Sequence, residues 1–80
     1  MLNKTLLKPY NIITIKFYTF DTLKLLGTIN YSQSNLPDLP ISGDRCFLNN
    51  KKYTIIRWSP ECLKKEKRVT LFYYIKAEEE

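Results

Sequence analysis

Eighty residues with an apolar fraction of 44% suffice for one core and exclude a second, so the chain reads as one domain, 1–80, with 1–9 and 77–80 expected to fray. Six Tyr, four Phe and one Trp are too many for a disordered chain, and no apolar run reaches the roughly 18 residues of a membrane span. Thirteen basic side chains against eight acidic, three of the acids being the last three residues, favour acidic surfaces and polyanions as partners.

The first ten residues, MLNKTLLKPY, carry no apolar run of signal-peptide length, so a cytoplasmic location is expected; LNKTLL reads equally as a short helix or a strand capping one end. NIITIKFY, residues 11–18, is rich in β-branched and aromatic residues and alternates with period two, with Ile13, Ile15 and Phe17 on the drier face. DTLKLLGTINY turns and returns as a second strand, with Leu25, Ile29 and Tyr31 assigned to one face. Register follows from the loop: a two- or four-residue loop would set Leu25 and Ile29 beside Lys16 and Thr14. An odd loop such as Asp21-Thr22-Leu23 pairs Phe17 with Gly27, Ile15 with Ile29 and Ile13 with Tyr31, and so aligns the apolar faces.

Residues 32–44, SQSNLPDLPISGD, are turn chemistry throughout and too long for a hairpin, so they cross from one part of the sheet to another. Residues 45–48 make a short strand, Asn49-Asn50 a type I′ turn, and residues 52–58 the returning strand. That register puts Cys46, Leu48, Tyr53 and Ile55 on one face and Phe47, Thr54, Ile56 and Trp58 on the other. SPECLKKEKR reads as a charged connection, with one helical turn begun by Pro60. VTLFYYIKA is the last strand, with Val69, Leu71, Tyr73 and Ile75 alternating against Thr70, Phe72, Tyr74 and Lys76. The expected fold is all-β: about five antiparallel strands in a meander or small open barrel, SH3-like or OB-like. Ile13, Ile15, Phe17, Ile29, Leu48, Ile55, Leu71 and Tyr73 form its expected core.

The chemistry points to a binding protein rather than an enzyme. Histidine, the commonest general base at neutral pH, is absent. Asp21, Asp38, Asp44 and Glu61 fall in expected turns, and Asp44 reads as a turn former. No P-loop, dinucleotide-binding or nucleophile-elbow motif occurs, and no cofactor is expected. Cys46 and Cys62 read as reduced thiols, one of them in the core, with a disulfide as the other reading; without histidine they fall short of the ligands a zinc site needs, so no metal is expected. Cys62 stands near Lys64 and Lys65 but lacks a base to make it a nucleophile.

The candidate partner-binding set is the second face of the C-terminal half: Phe47, Trp58, Phe72 and Tyr74 with Ile56, framed by Arg45, Lys52 and Lys76. Such residues anchor protein interfaces, or stack the bases of a single strand. Alternatively the N-terminal segment or the 32–44 loop folds over them as a second core layer. Lys51, Arg57, Lys64, Lys65, Lys67 and Arg68 are the candidate polyanion-binding groups; ordinary solubilising charge that guards strand edges is the other reading. Trp58, at a strand end before Ser59-Pro60, is expected to be partly exposed and dispensable for folding.

LPISGDRCFLNNKKYTIIRW, residues 39–58, resembles the proline–Gly-Asp–strand–turn–Lys-x-Tyr–strand arrangement of small β-rich accessory proteins of bacteriophages and mobile elements, over about a quarter of the chain. The Lys, Asn and Ile content also resembles that of low-GC Gram-positive bacteria and their phages. The resemblance implies a non-enzymatic protein of a bacterial host's cytoplasm that binds and inhibits or redirects a host protein complex, such as a defence or transcription enzyme. It transfers no role to an individual residue.

Overall fold

The computed structural model describes residues 2–78. Five strands, β1 (Ile12–Thr19), β2 (Leu25–Ser32), β3 (Arg45–Leu48), β4 (Lys51–Leu63) and β5 (Arg68–Ala77), form one sheet in the order β2-β1-β5-β4-β3. The helical elements among the described residues are three short 3-10 turns, Lys4–Leu7, Gln33–Asn35 and Lys64–Glu66. The sheet curls into a nearly closed small barrel, and Leu48 at one edge reaches Gly27 at the other, its Cδ1 lying 3.7 Å from where a Cβ on that glycine would sit. The all-β, small-barrel class expected from the sequence is the one found.

One pairing departs from the antiparallel expectation. β1–β2, β3–β4 and β4–β5 are antiparallel, whereas β1 and β5 run parallel. Five strands that alternate in direction leave the first and last pointing the same way. Joining the N-terminal hairpin to the C-terminal meander through β1 and β5 therefore makes a parallel pair.

The barrel interior is filled by the alternation of β1 and β5. Ile13, Ile15 and Phe17 face Val69, Leu71, Tyr73 and Ile75, with Tyr53 and Ile55 completing the wall, and all are buried. Of the expected core, Ile13, Ile15, Phe17, Ile55, Leu71 and Tyr73 are buried and Leu48 is half-buried against them. Ile29 is the exception at 37% exposure: its pairing with Ile15 is as expected, but β2 is an edge strand with no neighbour on its far side.

Asn49 and Asn50 both have positive φ, 53° and 66°, as a two-residue type I′ hairpin requires. The β1–β2 register also matches, with Phe17 opposite Gly27 and Ile13 opposite Tyr31. The expected odd loop is not what produces it: the last pair is Tyr18 with Leu25, with the even number of six residues, 19–24, between them, and the one-residue bulge that follows restores the apolar register.

Two β-bulges break the expected alternation. In β2, Gly27 faces Phe17 while Leu25 faces Tyr18, so Leu26 is the extra residue. Leu25 therefore lies on the outer face, exposed, and Leu26 packs against the core in its stead. In β4, Ile55 faces Ile75 while Arg57 faces Tyr74, so Ile56 is extra and every later side chain changes face.

β4 also runs on through residues 59–63, where the sequence suggested a connection, and Pro60 sits within it opposite Leu71. β3 pairs only with residues 51–54, so this part of β4 is a sheet edge, where a residue without an N–H is tolerated. The reversal into β5 needs just Lys64–Glu66 and Lys67, which takes a left-handed φ of 53°.

The N-terminal segment, expected to fray, is docked. Asn3 Oδ1 accepts from the Thr5 N–H at 3.0 Å and starts the first 3-10 turn, and Leu2 and Leu7 are buried. The Leu2 N–H donates to the Leu39 carbonyl at 2.8 Å, tying this segment to the crossing loop. That loop is tied in turn to the core, since Leu39 is buried and the Tyr73 hydroxyl donates to the Pro40 carbonyl at 2.8 Å. Asp44 is the turn former expected: its Oδ2 accepts from the Ile41 N–H at 2.9 Å. At the other end Glu78, within the segment expected to fray, donates its N–H to the Lys52 carbonyl; 79–80 lie outside the described residues.

Candidate binding face

The parallel contact between β1 and β5 builds a surface on the outside of the barrel. Side chains opposite one another in a sheet share a face, so register assigns the outer surface in rows. One row runs Leu25, Tyr18, Tyr74, Arg57; the next runs Thr28, Lys16, Phe72, Ser59. Below them come Asn30, Thr14, Thr70, Glu61 and then Ser32, Ile12, Arg68, Leu63.

Three rings make the centre of this surface. Tyr18 lies 6.1 Å from Phe72 and 6.0 Å from Tyr74, centroid to centroid. The Arg57 guanidinium sits 4.5 Å from the centroid of Tyr74, a cation–π contact that holds a long side chain flat on the platform. All three rings are half-buried by their neighbours and keep a solvent-facing side, while Leu25 and Ile56 at the margins are exposed. In the four rows Lys16, Arg57 and Arg68 stand against the single carboxylate of Glu61. The platform is thus apolar at its centre and cationic at its margin.

The expected site residues separate into three places. Phe72 and Tyr74 lie on the platform, and Arg57, assigned from the sequence to the polyanion set, joins them. Phe47, Arg45, Lys51 and Lys52 lie together on the β3–β4 hairpin at one end. There Phe47 is 72% exposed with the Lys52 ammonium 5.8 Å from its centroid, and Glu78 pairs with Arg45 at 2.8 Å. Lys64, Lys65 and Lys67 lie at the opposite end of β4, next to Arg68 in the last of the outer rows. Thirteen extended residues span roughly 40 Å, close to the molecule's longest dimension of 42 Å. The basic residues therefore do not form one patch.

Trp58 is the correction. The bulge at Ile56 turns it from the outer face to the barrel side, opposite Tyr73, where the two rings stack with centroids 6.4 Å apart. It packs against the core beneath the N-terminal segment, beside a narrow apolar cleft of about 210 Å³ lined by Leu2, Leu7, Tyr10, Trp58 and Leu71 among others. The N-terminal segment and the 32–44 loop cover this side of the barrel, leaving the outer rings uncovered.

Tyr18, Lys16 and Leu25 were missed in the sequence. Tyr18 and Lys16 stand on the polar side of β1, and only the β1–β5 pairing brings them beside Phe72 and Tyr74.

The remaining chemistry is structural. Burial raises the pKa of the half-buried Cys46 thiol, which disfavours the thiolate, while Cys62 is free and exposed. Two of the carboxylates have partners of their own: Asp38 pairs with Lys4 at 3.1 Å, and Asp21 accepts from the Thr22 N–H. No helix of the described residues is long and apolar enough to cross a membrane. No family model, curated protein or solved structure matches the chain.

Proposed function

We propose that the protein is a small non-enzymatic binding module that holds an acidic protein partner against the outer face of its sheet. The observation that carries this reading is the Leu25–Tyr18–Tyr74–Arg57 row beside Lys16 and Phe72, with Arg57 stacked on Tyr74. Tyr, Phe and Arg held rigid on a sheet lose little conformational freedom on binding and are the residue types that dominate interface energies. The marginal cations favour a partner that offers carboxylates around an apolar centre. The cellular role proposed with it is that of a phage or mobile-element accessory protein in a bacterial cytoplasm, inhibiting or redirecting a host complex. That part rests on the resemblance of residues 39–58.

The test is affinity capture from a nuclease-treated lysate of a low-GC bacterium, comparing the wild type with a Tyr74→Ala/Arg57→Glu variant whose fold is verified by circular dichroism. A protein retained by the wild type and lost by the variant supports the reading; equal retention by both refutes it. Three rings about 6 Å apart beside Lys16 and Arg57 also suit the stacking of a single-stranded nucleic acid, the second reading. A labelled oligonucleotide would then bind with an affinity that falls steeply between about 50 and 200 mM salt. No binding at low salt removes that reading.

A further inference from the structure

A sheet that does not close leaves edges, and this molecule guards its edges unequally. β3 is four residues long and begins with Arg45. The free length of β4 contains a bulge at Ile56, the charged Arg57 and Glu61, and Pro60, which offers no N–H. Short strands, charges, bulges and proline all discourage a further strand from adding.

β2 has one of these, the bulge at Leu26 near its start, and none from Gly27 onward. It runs eight residues, Leu25–Ser32, without proline, and is the one strand of the five with no Lys, Arg, Asp or Glu. Its ladder goes to β1, and among the described residues no backbone hydrogen bond joins it to anything else. Apart from the Ser32 N–H, which donates to Asn35 Oδ1 at 2.8 Å, the far side of the strand presents its alternate N–H and C=O groups unpaired by backbone. Ile29, in its centre, is 37% exposed although it lies on the barrel side of the sheet.

We infer that two copies of this chain pair antiparallel along β2, about a two-fold axis through Ile29. Residues opposite one another in an antiparallel pair lie on the same face, so the axis must pass through a residue that meets its own copy. With Ile29 at the axis, its exposed side chain is covered by its counterpart, Thr28 meets Asn30, and Tyr31 comes opposite Gly27, which adds no side chain of its own beside Leu48. Centring on Thr28 would instead set Tyr31 opposite Leu25, which the bulge has turned to the other face. Charge favours this edge for self-association, since two molecules of formal charge +5 meet along the strand that carries none. One shared ladder is a small contact, under the roughly 1,200 Å² of a standard interface, so the dimer dissociates readily on dilution.

Sedimentation equilibrium from about 1 µM to about 1 mM tests it, on the wild type, Ile29→Lys, Thr28→Lys and Phe47→Ser, each verified folded by circular dichroism. The wild type should pass from the 9.5 kDa monomer to twice that mass. Ile29→Lys sets two ammonium groups face to face at the axis and should remain monomeric throughout. Thr28→Lys charges the same edge from the outer face and should weaken association at least tenfold, which keeps the test open if the first variant misfolds. Phe47→Ser removes the most exposed apolar side chain, which lies on β3 outside the β2 ladder, and should leave the dimer unchanged. A wild type monomeric at every concentration overturns the inference, as does a dimer that survives both edge charges or is lost with Phe47.

Discussion

Replacing Trp58 with alanine discriminates between a binding anchor and a structural residue. A fully buried aromatic side chain removes about 150–250 Å² from water, so a half-buried one removes on the order of 100 Å². At about 25 cal/mol per Å² that area is worth roughly 2.5 kcal/mol, and loss of the stack on Tyr73 adds about 0.5–1.5 kcal/mol. Trp58→Ala should therefore destabilise by about 3–4 kcal/mol. Against a total of roughly 4–12 kcal/mol for a chain of this size, that is a large fraction. In thermal unfolding followed by far-ultraviolet circular dichroism, the midpoint should fall by at least about 12 °C, at about 4–8 °C per kcal/mol. Phe47→Ala, at the most exposed aromatic of the chain, should shift it by no more than about 4 °C, the equivalent of about 0.5 kcal/mol. If Trp58→Ala melts within a few degrees of the wild type, the bulge at Ile56 is misplaced and Trp58 belongs to the outer face after all.

Ile55→Ala deletes a fully enclosed side chain opposite Ile75 and should cost about 2–5 kcal/mol in chemical denaturation, with an unchanged dependence on denaturant. Asn50→Val places a β-branched side chain at φ 66° and should destabilise by about 1–2 kcal/mol, whereas Asn50→Gly should be neutral or slightly stabilising; urea titration of the three proteins separates them. Tyr73 is buried and its pKa lies well above the ordinary value of 10, first because burial disfavours the phenolate and then because of the charge of Asp44. The folded state keeps this proton after the unfolded state has lost it, so stability is intact below pH 10 and should fall above it by about 1.4 kcal/mol per pH unit. Tyr73→Phe should abolish that component of the alkaline decline while costing about 1–3 kcal/mol at neutral pH, because the Pro40 carbonyl loses its donor.

The strands and most of their registers were legible because local chemistry determines them. Alternation placed Ile13, Ile15 and Phe17 inside β1 and Val69, Leu71, Tyr73 and Ile75 inside β5, and the consecutive asparagines fixed the β3–β4 hairpin. The parallel β1–β5 contact was not legible, since it joins residues more than fifty positions apart and no local periodicity encodes the choice of neighbour. The platform depended on that choice. Phe72 and Tyr74 were read correctly as outward-facing, but Tyr18 and Lys16 became part of a site only through the strand lying beside them.

The two bulges explain the misplaced faces of Leu25 and Trp58, and both occur at the same kind of sequence. Each bulge falls at a pair of adjacent aliphatic residues, Leu25-Leu26 and Ile55-Ile56, whereas the like pair Ile12-Ile13 keeps its register. In each strand the residues on either side of the pair demand opposite parities. Gly27 and Ile29 face the barrel with Phe17 and Ile15, yet Leu26 packs against the core too; Ile55 is buried with Ile75, yet Trp58 is inward three positions later. One inserted residue reconciles the two halves, because a bulge shifts the pleat by one without breaking the strand. At Ile56 the insertion exposes an isoleucine and lays Arg57 across Tyr74. It also turns Trp58 inward, so the irregularity that removed the tryptophan from the expected binding face supplied that face with the cation at its margin.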